Sequence, residues 1–118
     1  MPLRTTSTTD PTSLSTVSEE YLIFYSSIVD GRLWCPDCRA VEEDVRNVFD
    51  GSDDPPALIV YVGDKSSWKP SSNPFRGAPW NITSIPTIVK VKDGKEIGRL
   101  VELEVKPGLA EFIKPQSE

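Results

Sequence analysis

Two continuous runs of apolar, β-prone residues lie along the 118-residue chain, at Tyr21–Ser26 and Ala57–Val62. Runs of this kind, without polar alternation, are typical of strands that are buried on both faces of a sheet. Between the runs, apolar residues three, four, three and one positions apart predict an amphipathic helix after Pro36. These residues are Cys38, Val41, Val45, Val48 and Phe49. The pattern predicts a β-α-β unit with parallel strands.

The second half of the chain has a different pattern. Apolar residues recur in Thr87–Val91 and in Glu96–Glu104, and the Asp93-Gly94 turn between them predicts an antiparallel hairpin. A short terminal helix is expected over Leu109–Ile113, after Lys106-Pro107-Gly108. The polar, proline-containing stretch from Gly63 to Trp80 is predicted to be irregular, with a short helix that begins at Asn73-Pro74.

The remaining segments carry weaker signals. Residues 1–20 are rich in Ser and Thr and are predicted to be weakly structured, with an edge strand at Leu3–Thr5 and a short helix after Asp10-Pro11. Ile28–Leu33 is predicted to be a loop, and Gly51–Pro56 a turn that ends the helix. The length fits one domain over residues 1–118.

Composition narrows the class of protein. The net charge of -5 argues against a nucleic-acid binder, which needs a basic face. Two cysteines and no histidine argue against a disulfide-stapled secreted domain and a structural zinc site, so we expect no metal. No apolar run approaches the roughly 20 residues that span a bilayer, and residues 1–20 lack the apolar core of a signal peptide. We therefore expect a cytoplasmic location.

The two cysteines stand in the motif Trp34-Cys35-Pro36-Asp37-Cys38. A disulfide between them would close a very small loop and stabilise little, which favours a redox role over a structural one. Cys35 directly precedes the predicted helix, whose free N–H groups would stabilise its thiolate, so we expect it to be the exposed nucleophile. Cys38 lies on the apolar stripe and is expected to be the buried, resolving thiol. The alternative is a pair of unreactive core cysteines.

The neighbours of the pair have expected roles as well. Asp37 would oppose a thiolate at Cys35, so we expect its carboxylate to point outward. Trp34 is either a core residue or a cover over the sulfur that limits which substrates approach. Trp68 lies in a polar loop with little core to join, and we weigh an exposed contact role equally against burial.

With the motif in place, the element order resembles the α/β thioredoxin fold, a central mixed β-sheet flanked by helices. The chain resembles one branch in particular, the 14-kDa thioredoxin-related proteins (thioredoxin domain-containing protein 17 and the plant Clot proteins). The resemblance runs from about Tyr21 to Ile113 and rests on three further groups of residues besides the motif. They are Glu42 and Arg46; Val62-Gly63-Asp64-Lys65, Trp68-Lys69, Asn73 and Phe75-Arg76; and Ile85-Pro86-Thr87.

The resemblance implies a cytosolic, monomeric disulfide reductase that binds no cofactor and receives electrons from NADPH through thioredoxin reductase, or from glutathione. It implies a cis peptide bond at Ile85-Pro86 beside the redox pair, where the ordinary alternative is a trans proline that opens a strand. The backbone of Ile85 would then pair with the substrate. Trp68 and Lys69 are the other expected substrate contacts, with cystine and small thiol adducts as substrates.

Two departures from the family pattern affect these expectations. Glu43 stands where relatives often have a helix-kinking proline, and Tyr21–Ser27 contains no acidic residue to take the place of the buried carboxylate of ordinary thioredoxins. Water or Asp37 would then have to assist proton transfer to Cys38. Two other functions remain open, a binding module that acts through the Trp68 loop and a disulfide-forming oxidase.

Overall fold

The computed structural model describes residues 3–51 and 54–113. Seven strands are present in this part of the chain. They are β1 (Leu3–Thr6), β2 (Tyr21–Tyr25), β3 (Ile28–Val29), β4 (Arg32–Leu33), β5 (Ala57–Tyr61), β6 (Thr87–Lys92) and β7 (Lys95–Val101). Five of them form one mixed sheet in the order β1-β5-β2-β6-β7. The central strand β2 pairs with β5 in parallel and with β6 antiparallel, so the predicted β-α-β unit and hairpin are confirmed.

Within the described ranges, three α-helices and three 3-10 turns accompany the sheet. The α-helices are α1 (Pro36–Phe49), α2 (Lys65–Trp68) and α3 (Val105–Phe112), and the 3-10 turns are Pro11–Thr16, Pro74–Arg76 and Glu102–Glu104. The helix α1 runs without interruption through Glu43, where a proline would have bent it. Among the described residues, no helix is long and apolar enough to cross a bilayer.

The hydrophobic core packs against both faces of β2. Alternate side chains point to opposite faces of a strand. On one face, the Tyr21 ring lies 5.1 Å from the ring of Phe49 in α1 and 5.8 Å from that of Phe112 in α3. On the other face, the Phe24 ring lies 5.8 Å from the ring of Phe75 and 6.4 Å from that of Trp80. All five residues of β2 are buried, as the continuous apolar run predicts.

The N-terminal segment is folded onto the sheet over its described part. The edge strand predicted at Leu3–Thr5 is present as β1, and it pairs in parallel with β5. Asp10 caps the 3-10 turn by accepting the backbone N–H of Thr12 at 3.1 Å, and Leu14 is 1% exposed. The indole N–H of Trp80 donates to the carbonyl of Pro11 at 2.7 Å. The Ser/Thr-rich composition gave no sign of this docking, because it depends on only one buried leucine and one backbone carbonyl.

Several boundaries differ from the sequence prediction. The predicted loop at Ile28–Leu33 is a short antiparallel hairpin, in which Asp30 and Gly31 form the turn with positive φ angles of 55° and 85°. The long strand predicted to reach Glu104 ends at Val101, because Glu102 takes a φ of 49° that a strand cannot contain.

Two helices also begin where the sequence did not place them. The terminal helix begins at Val105 rather than Leu109, since Pro107 lies in its first turn, where a missing N–H costs no helical bond. The short helix α2 in the Trp68 loop was not predicted, whereas the turn capped by Asn73 was. Of the predicted turn at Gly51–Pro56, residues 52 and 53 lie outside the described residues.

Docking of the N-terminal segment predicts that alanine substitutions at two leucines differ in their effect on the stability of the protein. We expect Leu14→Ala to lower the free energy of unfolding by about 2–5 kcal/mol, since it empties a buried site. The matched control is Leu103→Ala, at a side chain that is 85% exposed, with an expected change within about 0.5 kcal/mol. Urea unfolding followed by circular dichroism measures both, and equal values for the two variants would contradict the docking.

Candidate active site

The Trp34–Cys38 motif lies where the end of β2, the start of α1 and the approach to β6 meet. Cys35 is the N-cap residue of α1, with an extended backbone (φ −87°, ψ 120°), and Pro36 is the first helical residue. Proline suits this position because its fixed φ matches the helix and its missing N–H would have had no partner. Asp37 is exposed, so its side chain points outward as expected.

Ser26 connects the end of β2 to both cysteines. The backbone N–H of Cys35 donates to the Ser26 hydroxyl at 3.1 Å, and the backbone N–H of Ser26 donates to the Cys38 sulfur at 3.5 Å. Ser26 is fully buried. The sequence analysis missed this residue, although a serine pair at the end of an apolar strand, beginning nine residues before Cys35, was a usable signal.

The two thiols are free and differ in burial. Cys38 is 0% exposed and Cys35 is 8% exposed, so the expectation of an exposed Cys35 was wrong, although Cys35 is the more accessible of the two. Burial raises the pKa of Cys38, the N–H of Ser26 lowers it, and a charge on Cys35 raises it further. Cys38 is therefore held as a neutral thiol in this state.

The Cys35 sulfur does not accept the helix N–H groups that were expected to face it, since no capping hydrogen bond is made by its side chain. It lies instead 4.0 Å from the carbonyl oxygen of Ile85. The Ile85-Pro86 peptide bond is cis, as the resemblance implied. The Ala78-Pro79 bond is also cis, which no sequence signal had indicated.

The loop after β7 supports the Ile85-Pro86 segment. The backbone N–H of Glu102 donates to the carbonyl of Pro86 at 2.8 Å. Beside it, a cavity of about 390 Å³ opens next to Asp37. It is lined by Asp37, Ala40, Val41, Glu102, Leu103, Lys106 and Pro107. Among the described residues, no three His, Cys, Asp or Glu side chains are grouped so as to hold a metal ion.

Trp34 is half-buried and is held by a hydrogen bond. Its indole N–H donates to the carbonyl of Gly63 at 2.8 Å. Gly63 in turn pairs with Ser27, donating its N–H to the hydroxyl at 2.9 Å and accepting the Ser27 N–H at 3.1 Å. The φ of +121° at Gly63 is one that other residues rarely adopt. The hydrogen bond to Gly63 thus fixes the orientation of the indole in the residue that directly precedes Cys35.

Trp68 does not have the exposed position that a contact residue needs. It is 5% exposed, and the guanidinium of Arg76 lies 3.8 Å above its ring. Arg76 also donates to the carbonyl of Trp68 at 2.7 Å and to that of Thr83 at 3.2 Å. Trp68 therefore stabilises its loop from within, whereas the neighbouring Lys69 is exposed. The polar composition of this loop did not indicate that the guanidinium of Arg76 covers the indole.

Comparison with known proteins gives the family. The model of the thioredoxin domain in thioredoxin domain-containing protein 17-like proteins matches residues 6–111. The chain belongs to this family. It is 33% identical over 73 residues to the thioredoxin-like protein Clot of Oryza sativa, covering 57% of this chain and 52% of that protein. It is 36% identical over 66 residues to mouse thioredoxin domain-containing protein 17, and this match covers 55% of this chain and 53% of the mouse protein. The chain thus spans about half the length of these curated relatives.

Solved structures identify the thioredoxin fold. Thioredoxin f2 of Chlamydomonas reinhardtii has a TM-score of 0.63 at 15% identity, with 97% of this chain and 99% of that chain covered. The thioredoxin pre-protein of Schistosoma mansoni has a TM-score of 0.60 at 17% identity, with 94% of each chain covered. A chain in the complex of ferredoxin:thioredoxin reductase with thioredoxin f2 has a TM-score of 0.61 at 14% identity. The match covers 93% of this chain and 91% of that chain. The predicted fold is confirmed.

The position of Ser26 predicts a stability cost without a change in the cysteines themselves. We expect Ser26→Ala to lower the free energy of unfolding by about 1–3 kcal/mol, because the buried N–H of Cys35 loses its acceptor. Ser66→Ala, at an exposed serine of the Trp68 loop, is the control and should change little. Thermal unfolding of the reduced proteins measures both, and unchanged stability of Ser26→Ala would show that this hydrogen bond does not contribute.

Proposed function

We propose that this chain is a thiol–disulfide oxidoreductase that reduces disulfides through Cys35 and Cys38. The proposal rests on one observation above all. Two free thiols lie at the start of α1, the outer one beside the Ile85 carbonyl and the inner one fully buried. Membership of the thioredoxin domain-containing protein 17-like family supports it.

In the first step, the Cys35 thiolate attacks one sulfur of a substrate disulfide R–S–S–R′. A bond forms between Cys35 and the R sulfur, the substrate S–S bond breaks, and R′–S⁻ leaves and takes up a proton. Cys35 is the proposed attacker because it is the more accessible thiol and directly precedes the first residue of α1. Trp34 and Pro36 would support it, Trp34 with an indole held by the Gly63 carbonyl and Pro36 by fixing the first turn of α1.

In the second step, the Cys38 thiol attacks Cys35 in the mixed disulfide. The Cys35–Cys38 bond forms, the bond to R breaks, and the Cys38 proton is matched by the proton that R–S⁻ takes up. Its burial keeps Cys38 unreactive toward outside disulfides, while its place one helical turn from Cys35 makes the attack intramolecular. Two electrons have then moved from the dithiol to the substrate.

Substrate binding is proposed at the surface around Cys35. The backbone of Ile85, whose carbonyl oxygen lies 4.0 Å from the Cys35 sulfur, would pair with an extended segment of a disulfide substrate. Asp37 and Leu103 border the adjacent cavity, and Lys69 provides an exposed positive charge on the Trp68 loop. We propose selectivity for particular disulfides, with cystine as the first to test.

The oxidised chain needs a reductant. We propose that NADPH supplies electrons through thioredoxin reductase, with glutathione as the alternative donor, and that the chain acts in the cytoplasm as a monomer. A thioredoxin f2 of the same fold has been solved in complex with ferredoxin:thioredoxin reductase, which supports a reductase as partner. The alternative function, a binding module acting through the Trp68 loop, loses its main contact because Trp68 is buried.

Turnover depends on Cys35 if this proposal is correct. We expect wild type to support NADPH oxidation in the presence of thioredoxin reductase with cystine or insulin, and Cys35→Ser to reduce the rate to background. Absorbance at 340 nm measures the rate, and Ser66→Ala serves as an active control. Equal turnover by wild type and Cys35→Ser, or none by either, would contradict the reductase function.

Substrate capture depends on the order of the two cysteines. We expect Cys38→Ser to accumulate mixed disulfides at Cys35, because the second thiol is absent and cannot release them. Non-reducing electrophoresis and mass spectrometry, with and without dithiothreitol, identify what is captured. The Cys35→Ser variant is the matched control and should capture nothing. Capture that survives loss of both cysteines would instead favour the binding module.

A further inference from the structure

Tyr25 is a buried tyrosine at the end of the central strand, next to the residues that hold the two cysteines. It is the last residue of β2, directly before Ser26, and it is in register with Tyr61 of β5. Alternation along β2 places its side chain on the same face as Tyr21, which is the face that packs against α1. It is 2% exposed.

The hydroxyl of Tyr25 makes no hydrogen bond within the part of the chain that the structure describes, and its oxygen is shielded from solvent. A buried hydroxyl without a partner is unfavourable, by about 1–3 kcal/mol. A phenylalanine would fill the same space without that cost. The hydroxyl is therefore a candidate for a role in a state other than the resting dithiol.

The groups around the Tyr25 hydroxyl come from two elements. Cys38, Glu42 and Arg46 of α1 and Tyr61 of β5 lie close enough to act on it electrostatically. Burial is the main cause that raises the Tyr25 pKa, and negative charge on Cys38 or Glu42 raises it further, while Arg46 lowers it. The phenol consequently keeps its proton at neutral pH and can donate it in a hydrogen bond to a nearby anion.

Cys38 is the nearby group that needs such a donor. It is fully buried, and burial raises its pKa, yet it must develop negative charge when it attacks the mixed disulfide. Ser26 already lowers the pKa of Cys38 through its backbone N–H, 3.5 Å from the sulfur, and through its hydroxyl. The pKa is raised in spite of both, and each further hydrogen bond to the charged form of a buried thiol favours that form.

We propose that Tyr25 donates a hydrogen bond to the Cys38 sulfur as that thiol ionises, and so promotes the resolving step. This inference rests on the proposed function. The step itself is balanced without a further reactant, since the Cys38 proton is matched by the proton that the leaving thiolate takes up. Tyr25 and the Ser26 N–H together would form the pocket for the charge, and Tyr25 keeps its own proton throughout.

The test separates the two steps with an aromatic disulfide, 5,5′-dithiobis(2-nitrobenzoate), followed by stopped-flow absorbance at 412 nm. Attack by Cys35 releases a first thionitrobenzoate, and attack by Cys38 releases a second. We expect Tyr25→Phe to leave the first release unchanged. The second release should be about tenfold slower at pH 7, with its pH profile displaced upward by about one pH unit.

Two tyrosines serve as matched controls. Tyr21 lies on the same strand and face, where its hydroxyl donates to the carbonyl of Phe112 at 3.4 Å, and Tyr61 lies on the neighbouring strand. Tyr21→Phe and Tyr61→Phe should each leave both releases within twofold of wild type. Thermal unfolding of reduced Tyr25→Phe should show no loss of stability, because no hydrogen bond is removed.

Each outcome decides one question. A second release from Tyr25→Phe within twofold of wild type would overturn the inference, as would equal slowing of both releases, or an equal effect from Tyr61→Phe. Wild type that releases only one thionitrobenzoate, as Cys38→Ser is expected to do, would instead overturn the proposed function. The two failures are therefore distinguishable in one experiment.

Discussion

The central strand β2 is hydrogen-bonded on both edges and buried on both faces, and the position of the cysteines depends on where it ends. Its partners β5 and β6 fix its register, and aromatic rings pack against it from both sides. Ser26 follows directly and holds the backbone of Cys35 and the sulfur of Cys38. A shift of one residue in β2 would exchange its faces and remove Ser26 from both cysteines.

The chemistry follows from the unequal environments of two identical groups. Cys35 precedes the helix and lies beside a carbonyl, whereas Cys38 is enclosed by the helix and the sheet. The same burial that keeps Cys38 from reacting with solvent oxidants makes its ionisation difficult. A resolving thiol therefore needs donors that stabilise the charge as it develops; Ser26 already provides one, and Tyr25 would provide another.

Much of this arrangement could be predicted from the sequence because it depends on local patterns. The apolar runs of β2 and β5, the stripe of α1, the Asp93-Gly94 turn and the Asn73 cap each carry their signal within a few residues. The burial of Trp68 could not be predicted, because Arg76 covers it from eight residues away. The predicted end of β7 was three residues too late, because no sequence pattern indicates the positive φ at Glu102. Contacts between distant segments, such as Trp80 with Pro11, leave no local pattern at all.

The hydrogen bond from Trp34 to Gly63 has an optical consequence. Of the three indoles in the chain, those of Trp68 and Trp80 are buried and held by Arg76 and Pro11, while Trp34 is half-buried and adjoins the redox motif. Its fluorescence is thus the one expected to change when a neighbouring sulfur is modified, and the other two provide a nearly constant background. The protein carries its own reporter beside the thiols, without an added dye.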